Sequence, residues 1–161
     1  MEKFQELRDA ANKKIKIADY TLTMTYPLVK DPKLLLSAVE NLFLAYSYSM
    51  SSLLHYERLF KRIPPFPDNF SSKLEVFSSM CMIRYKINPE HVGIMKEIRE
   101  IIILHRKSPM EFSRKESLVI CDDGYRMRTI SAAMLKDRVS KAKLFINNVS
   151  AIVSRDEAIF R

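Results

Sequence analysis

The chain has 161 residues but only two glycines, Gly93 and Gly124. Glycine supplies the positive backbone angles and the close backbone approach that phosphate-binding loops, dinucleotide fingerprints and tightly turned sheets require. Two glycines are too few for these structures, which argues against a Rossmann or P-loop enzyme. Helices joined by short connections are therefore expected. The length and the 47% share of apolar residues predict one helical-bundle domain over residues 1–161.

Apolar residues recur every three or four positions over most of the chain, which is the spacing of one helix face. The first predicted helix ends near Tyr26, because Pro27 disfavours helical geometry in the residue before it. Asp31 and Pro32 form a cap-and-proline signal that starts a second helix. This helix is predicted to run to about Arg62 as the central element.

Three further helices carry start signals of their own. Ser71-Ser72 is expected to open the third helix, and Asn88-Pro89 the fourth, which Ser108-Pro109 ends. Ser131 is predicted to cap the last helix. The chain is therefore predicted to be mainly all-α, as an up-and-down bundle of about five helices.

The apolar period changes to two near residues 117–130, before the last helix. Two apolar runs there flank Asp123-Gly124, a signal for a two-residue β-hairpin turn. This register puts Leu118, Ile120, Met127 and Thr129 on one face, and Val119, Cys121, Arg126 and Arg128 on the other. A lone hairpin is marginal in water, so its apolar face is expected to pack on the bundle or on another subunit.

The net charge of +8 is uneven, since residues 106–143 hold ten Lys or Arg against five Asp or Glu. Clustered positive charge favours an anionic partner, usually nucleic acid, although a solvated basic surface is the alternative. The predicted nucleic-acid-binding residues are Arg106, Lys107, Arg114, Lys115, Arg126 and Arg128. Lys136, Arg138, Lys141 and Lys143 would extend this phosphate-contacting surface. Alternatively, Lys136, Lys141 and Lys143 form the solvent face of the last helix. Tyr125 is a candidate either to stack on a base or to brace the turn.

Metal and cofactor chemistry has no support in the sequence. The three histidines form no close cluster with cysteine or carboxylate, so no metal site and no cofactor are predicted. Cys81 and Cys121 have no paired spacing and are expected to be buried, inert thiols. Glu40, within the long apolar helix, is expected to face solvent or a polar seam.

The expected location is cytoplasmic, without a membrane partner. The first residues are amphipathic and charged, unlike the apolar region of a signal peptide. No uninterrupted apolar run approaches the roughly 18 residues of a membrane span.

Arg99 and His105 are the candidate catalytic residues. In RNA cleavage at a 2′-hydroxyl, an imidazole can move the proton while a guanidinium stabilises the charged phosphorane, and neither step needs a metal. Six helical positions set the two side chains roughly 120° apart, so they share a cleft only near a helix end or across a dimer axis. Alternatively, His105 is a packing or capping residue near the helix C-terminus.

These residues resemble a known family. Asp31-Pro32 opening a long helix that carries the polar step Glu40-Asn41 resembles the second helix of HEPN domains. The signature of that family, an Arg followed after a short spacer by a His, is met by Arg99 and His105. The resemblance covers roughly residues 30 to 107, and the chain is also similar to archaeal proteins of unassigned activity.

A HEPN-like chain would be a helical bundle that forms a homodimer. The resemblance implies a metal-independent ribonuclease of defence or toxin–antitoxin systems, with a toxin–antitoxin partner protein, or an inactive RNA-binding relative. The alternative is a non-catalytic bundle that acts in dimerisation or protein–protein contacts. Apolar side chains in or beside the predicted loops, at Phe66, Phe70 and Phe112, would serve such an interface.

Overall fold

The computed structural model describes residues 1–107, 110–124 and 126–155, and they are mainly helical. The helices are α1 (Lys3–Tyr20), α2 (Tyr26–Val29), α3 (Lys33–Leu59), α4 (Phe70–Val76), α5 (Met82–Arg84), α6 (Glu90–Lys107) and α7 (Ala132–Val153). Two π-helical turns, Thr21–Thr25 and Phe77–Cys81, join α1 to α2 and α4 to α5, so five continuous helical segments result. The prediction of a bundle of about five helices is confirmed. None of the described helices combines the length and the apolar character needed to cross a membrane.

Helix α3 is the centre of the bundle and packs against α1, α4, α6 and α7. Its start matches the prediction, because the Lys33 N–H donates to Oδ1 of Asp31 at 3.0 Å. Most of its apolar side chains between Leu35 and Leu54 are buried in one core shared with the other helices, and Leu36 and Phe43 pack partly buried against that core. A helix of this length needs several neighbours to cover so wide an apolar face.

The first helical segment continues past Tyr26 to Val29, so the predicted end near Tyr26 is wrong. A π turn precedes the proline, and the Tyr26 N–H donates to the carbonyl of Thr21. The turn replaces the ordinary helical hydrogen bonds at the point where Pro27 has no N–H to contribute. Pro27 then lies in the first turn of α2, a position that tolerates it.

The other helix starts agree with the sequence at two of three places. The Glu90 N–H donates to Asn88, and the Met134 N–H donates to Oγ of Ser131, each at 3.0 Å. Helix α4, however, is capped by Asn69, whose Oδ1 accepts from the Ser72 N–H at 2.9 Å, so the helix opens before Ser71. The predicted end of the fourth helix at Ser108-Pro109 lies outside the described residues.

A three-stranded antiparallel sheet of order β1-β2-β3 stands between α6 and α7, with β1 (Met110–Arg114), β2 (Ser117–Cys121) and β3 (Met127–Ser131). The predicted hairpin corresponds to β2 and β3, and β1 is one strand more than predicted. Lys115 and Glu116 connect β1 to β2 with φ values of 27° and 40°. Such turns usually carry Gly or Asn, so this one left no turn signal in the sequence.

The predicted register of β2 against β3 is wrong by one residue. Ile120 pairs with Arg128 and Leu118 with Ile130, because the turn closes at Asp122 and Arg126. Gly124 does not adopt the positive φ that a two-residue turn requires. The shift exchanges the faces of β3, so Leu118, Ile120 and Ile130 together face the helical core.

A buried ion-pair cluster fastens α5 to the end of α3. The Glu57 side chain is fully buried, and its carboxylate accepts hydrogen bonds from Nη1 of Arg84 at 2.7 Å and from the Tyr85 hydroxyl. Nη1 of Arg62 lies 3.7 Å from the same carboxylate. Burial, followed by the bond to Glu57, raises the pKa of Tyr85 to about 12.

Left-handed backbone occurs at lysines where helical segments end. Lys30, Lys61 and Lys86 have φ values of 56°, 57° and 53° and follow α2, α3 and α5. This position after a helix is usually glycine. Here a cation lies at the negative end of the helix dipole instead.

Candidate nucleic-acid interface

Arg99 lies on the exposed face of α6, beside a groove between α4 and α6. Its guanidinium carbon is 5.2 Å from the centroid of the Phe70 ring, which is within cation–π range. The groove has a volume of about 680 Å³, and Lys96 and the hydroxyl residues Ser78 and Ser79 also line it. Arg99 is therefore available to an anion, although its guanidinium also lies beside the Phe70 ring.

His105 lies in the last turn of α6 and contacts β1. Its Nδ1 pairs with the Glu111 carboxylate, and the two side chains are 33% and 27% exposed. A carboxylate on Nδ1 orients an imidazole and leaves Nε2 for a substrate. Arg99 and His105 thus contact different elements, Phe70 of α4 and Glu111 of β1. Glu111 was not identified from the sequence, since only the strand brings it to the helix end.

A second groove, of about 570 Å³, separates α6 from the turn between β2 and β3. It shares Glu100 and Ile103 with the α4–α6 groove, so the exposed face of α6 forms the ridge between them. Cations from both sides line it, at Lys107, Arg126 and Arg128.

Two of the predicted nucleic-acid-binding residues are engaged in internal ion pairs. Nε of Arg126 donates to the Asp122 carboxylate at 2.8 Å. The pKa of Asp122 is lowered mainly by the hydrogen bond from the backbone N–H of Arg126, and further by the bond from the Arg126 side chain. Arg128 lies 3.7 Å from Glu97 and 3.5 Å from Glu100. The positive charge of both arginines is therefore largely balanced within the protein.

The other four predicted residues remain accessible. Arg106, Lys107, Arg114 and Lys115 are exposed, and none forms an ion pair with another residue in the described part of the chain. Arg106 and Lys107 end α6, whereas Arg114 and Lys115 lie at the far end of β1, whose five residues extend over about 13 Å. We call these four residues the α6–β1 surface.

The basic residues of α7 mostly pair with neighbouring helices. Arg138 donates to Glu97 of α6 at 2.8 Å, Lys141 pairs with Glu90, and Lys143 lies 2.7 Å from Asp19 of α1. The bond to Glu90 raises the pKa of Lys141. Lys136 is exposed, as a solvent face predicts.

The aromatic candidates divide between the core and the surface. Phe66 and Phe70 are partly buried against the core, whereas Phe112 of β1 is 41% exposed. Phe112 and Arg114 are two positions apart on β1, so they share one face of the sheet. Tyr125 lies outside the described residues.

The remaining titratable candidates occupy structural positions. His91 is buried against Tyr46, and the thiols of Cys81 and Cys121 are both buried, as predicted. Glu40 is exposed, also as predicted. Within residues 1–107, 110–124 and 126–155, no three His, Cys, Asp or Glu side chains are grouped so that they could hold a metal ion.

Comparison with known proteins gives no match for this chain. No protein-family model, no curated protein and no solved structure is significantly similar to it. The HEPN resemblance therefore stays a prediction.

Proposed function

We propose that this chain binds RNA through the α6–β1 surface, as a HEPN-like domain. The observation that carries the proposal is that Arg106, Lys107, Arg114 and Lys115 are exposed and form no ion pair among the described residues. The other basic residues predicted at the interface, Arg126 and Arg128, are balanced by carboxylates. Free cations on neighbouring elements are what a phosphate backbone requires.

Phe112 adds a means of contacting bases. It lies between the two cation pairs in the chain and shares a sheet face with Arg114. Aromatic side chains beside basic residues stack on unpaired bases without strong sequence preference. A single-stranded RNA segment is therefore the favoured ligand class.

Binding can be measured by fluorescence anisotropy with a mixed-sequence single-stranded RNA over a range of salt concentrations. Four phosphate contacts give a slope of log affinity against log salt of about −3. Substituting Arg106→Ala and Lys107→Ala together should bring the slope about 1.4 closer to zero and weaken binding. The matched control is Lys13→Ala with Lys16→Ala, two exposed lysines of α1. Equal affinities for the two double variants would contradict the proposed surface.

A second candidate function is metal-independent RNA cleavage by Arg99 and His105. It is favoured by the contact between His105 and Glu111, because a carboxylate-oriented imidazole is suited to act as a general base. Arg99 would stabilise charge on the phosphorane, provided that bound RNA reaches across the ridge of α6. The test is cleavage of mixed RNA in excess EDTA.

His105→Ala should abolish this cleavage without changing helical content, and Glu111→Gln should reduce it. Loss of cleavage by about 10²-fold or more is typical when a general base is removed. Absence of cleavage by the native protein in varied buffers would exclude the catalytic proposal and leave RNA binding intact. An unchanged rate in His105→Ala would assign the activity to another group.

The alternative proposal is a non-catalytic module for dimerisation or protein–protein contacts. Exposed apolar side chains on the sheet, Phe112 and Met127, give it some support. A homodimer and a toxin–antitoxin partner are compatible with either proposal. RNA affinity that does not depend on salt would favour the alternative.

A further inference from the structure

A third cavity lies between the N-terminal part of α1, the C-terminal half of α3 and the connection that leads to α4. Its volume is about 520 Å³, within the usual range for small-ligand sites. Lys3 at the start of α1 lines it, whereas the Lys30–Glu116 ion pair joins the β1–β2 turn to the far end of the same helical segment. That segment is on the order of 40 Å long, so the cavity is well separated from the β1–β2 turn of the α6–β1 surface.

Positive charge converges on this cavity. Its lining includes Lys3, Arg58 and Lys73 against the single carboxylate of Asp68. Lys73 is only 14% exposed and lies 2.6 Å from Asp68, which is 93% exposed. Three cations against one carboxylate leave two positive charges uncompensated within the lining.

His55 lies on the same wall and responds to this charge. Burial lowers its pKa, and Lys73 and Lys3 lower it further. The neighbouring Lys73 also lowers the pKa of Asp68. Both shifts have the direction expected in a region of positive potential, which favours an anion.

A hydroxyl group also reaches the wall of this cavity. Ser51 is 3% exposed, lines the cavity and forms no hydrogen bond with another described residue. Its Oγ is therefore available at the cavity wall to donate a hydrogen bond. An anion seated among the cations could accept this hydrogen bond.

Apolar surface lies beside the charged part. The Phe66 ring contacts His55 edge-on at a centroid distance of 5.4 Å, and Tyr48 also lines the cavity. The cavity therefore offers an anionic subsite next to an aromatic wall. Inorganic phosphate alone would leave the aromatic wall uncovered.

We infer that this cavity binds a small organic phosphate, with the phosphate contacted by Lys3, Arg58 and Ser51 and the organic part lying against Phe66 and Tyr48. Lys73 stays paired with Asp68 and contributes to the field. The site does not depend on RNA binding at the α6–β1 surface.

Isothermal titration calorimetry on the full chain tests this inference with UMP, ribose 5-phosphate, uridine and inorganic phosphate as probes. UMP or ribose 5-phosphate should bind, and uridine, which lacks the phosphate, should not. Arg58→Gln should weaken binding by about tenfold or more, because a charge-assisted contact is lost. Ser51→Ala should weaken it less. Lys13→Gln, which removes an exposed helical cation elsewhere, should leave binding unchanged.

The result that overturns the inference is that neither organic phosphate binds the native protein, or that Arg58→Gln binds as tightly as the native chain. Inorganic phosphate binding as tightly as both organic phosphates would also overturn it, since recognition would then stop at the anion. The variant carrying Arg106→Ala and Lys107→Ala should bind UMP normally. That arm separates this cavity from the RNA surface.

Discussion

The hydroxyl of Tyr46 on α3 lies 2.9 Å from Nδ1 of His91 on α6, and both side chains are buried against Phe145 of α7. Burial raises the pKa of Tyr46 and lowers the pKa of His91, so both groups are neutral near neutral pH. The neutral imidazole can accept the hydrogen bond of the phenol. Three helices are thus joined at one polar contact inside the core.

This contact predicts loss of stability in mild acid. The unfolded imidazole has a pKa near 6.5 and takes up a proton before the buried one does. The free energy of unfolding should therefore fall as the pH drops below about 6.5 towards the lowered pKa of the folded state. Urea unfolding at about pH 7 and about pH 5 measures the fall. The loss of unfolding free energy between these two pH values should be smaller in His91→Gln. It should be smaller still in the double variant that also carries His55→Gln, since burial also lowers the pKa of His55. An unchanged fall in both variants would contradict this assignment.

Phe145 should be among the most costly residues to truncate. Its ring is 1% exposed and lies 5.2 Å from Tyr46 and 5.8 Å from Phe77. We expect Phe145→Ala to lower the free energy of unfolding by about 3–5 kcal/mol, because it leaves a cavity where α3, α7 and the π turn Phe77–Cys81 meet. Leu144, its neighbour, is 67% exposed, so Leu144→Ala should change stability by less than about 0.5 kcal/mol. Urea unfolding measures the loss of stability in each variant. Similar losses for Phe145→Ala and Leu144→Ala would mean that α7 presents a different face to the core.

The Glu57 cluster predicts an asymmetry between its members. Arg84→Gln leaves a fully buried carboxylate with one partner fewer, and should cost about 3 kcal/mol of unfolding free energy. Glu57→Gln should cost less, about 1–2 kcal/mol, because the Arg84 side chain is 42% exposed and can be hydrated. Lys143→Gln, in an exposed ion pair, is the control and should cost at most about 1 kcal/mol. A larger loss for Glu57→Gln than for Arg84→Gln would be inconsistent with this account.

Asp122 should determine how the β2–β3 turn closes. Its carboxylate accepts from the backbone N–H groups of Gly124 at 2.9 Å and of Arg126 at 2.8 Å. Asp122→Ala should therefore speed hydrogen exchange at the amides of Gly124 and Arg126, as measured by NMR. Asp123→Ala is the matched control and should leave these rates unchanged. Slow exchange in Asp122→Ala would contradict this prediction. It would show that the backbone hydrogen bond from the Asp122 N–H to the Arg126 carbonyl is enough to hold the turn closed.

Much of the helical part of the fold could be predicted from local signals. Asp31, Asn88 and Ser131 each cap the helix that follows, because short polar side chains bond to the first free N–H groups. The end of the first helix was predicted wrongly because a π turn before Pro27 accommodates the missing N–H of the proline. No residue pattern before Pro27 indicates such a turn. Strand β1 was not predicted because the turn that follows it is formed by Lys115 and Glu116. Their left-handed conformations are uncommon for residues with long side chains, so the sequence contains no turn signal there.

The candidate sites were less predictable, because ion pairing depends on tertiary contacts. Arg126 and Arg128 look no different in the sequence from Arg106 and Lys107, yet only the first two meet carboxylates in the described structure. Glu57 did carry a signal, since it continues the buried stripe of Met50 and Leu54 at helical spacing. A carboxylate on an apolar stripe indicates a buried partner, but the sequence does not show which arginine supplies it.

The lysines in left-handed conformation after α2, α3 and α5 also affect the denatured ensemble. A glycine there would relieve local strain when folded, but it would give the unfolded chain more conformations to lose. Lysine allows the unfolded chain fewer backbone conformations than glycine does. It also adds positive charges, which repel one another when the unfolded chain is compact. These three lysines therefore disfavour compact conformations of the unfolded chain.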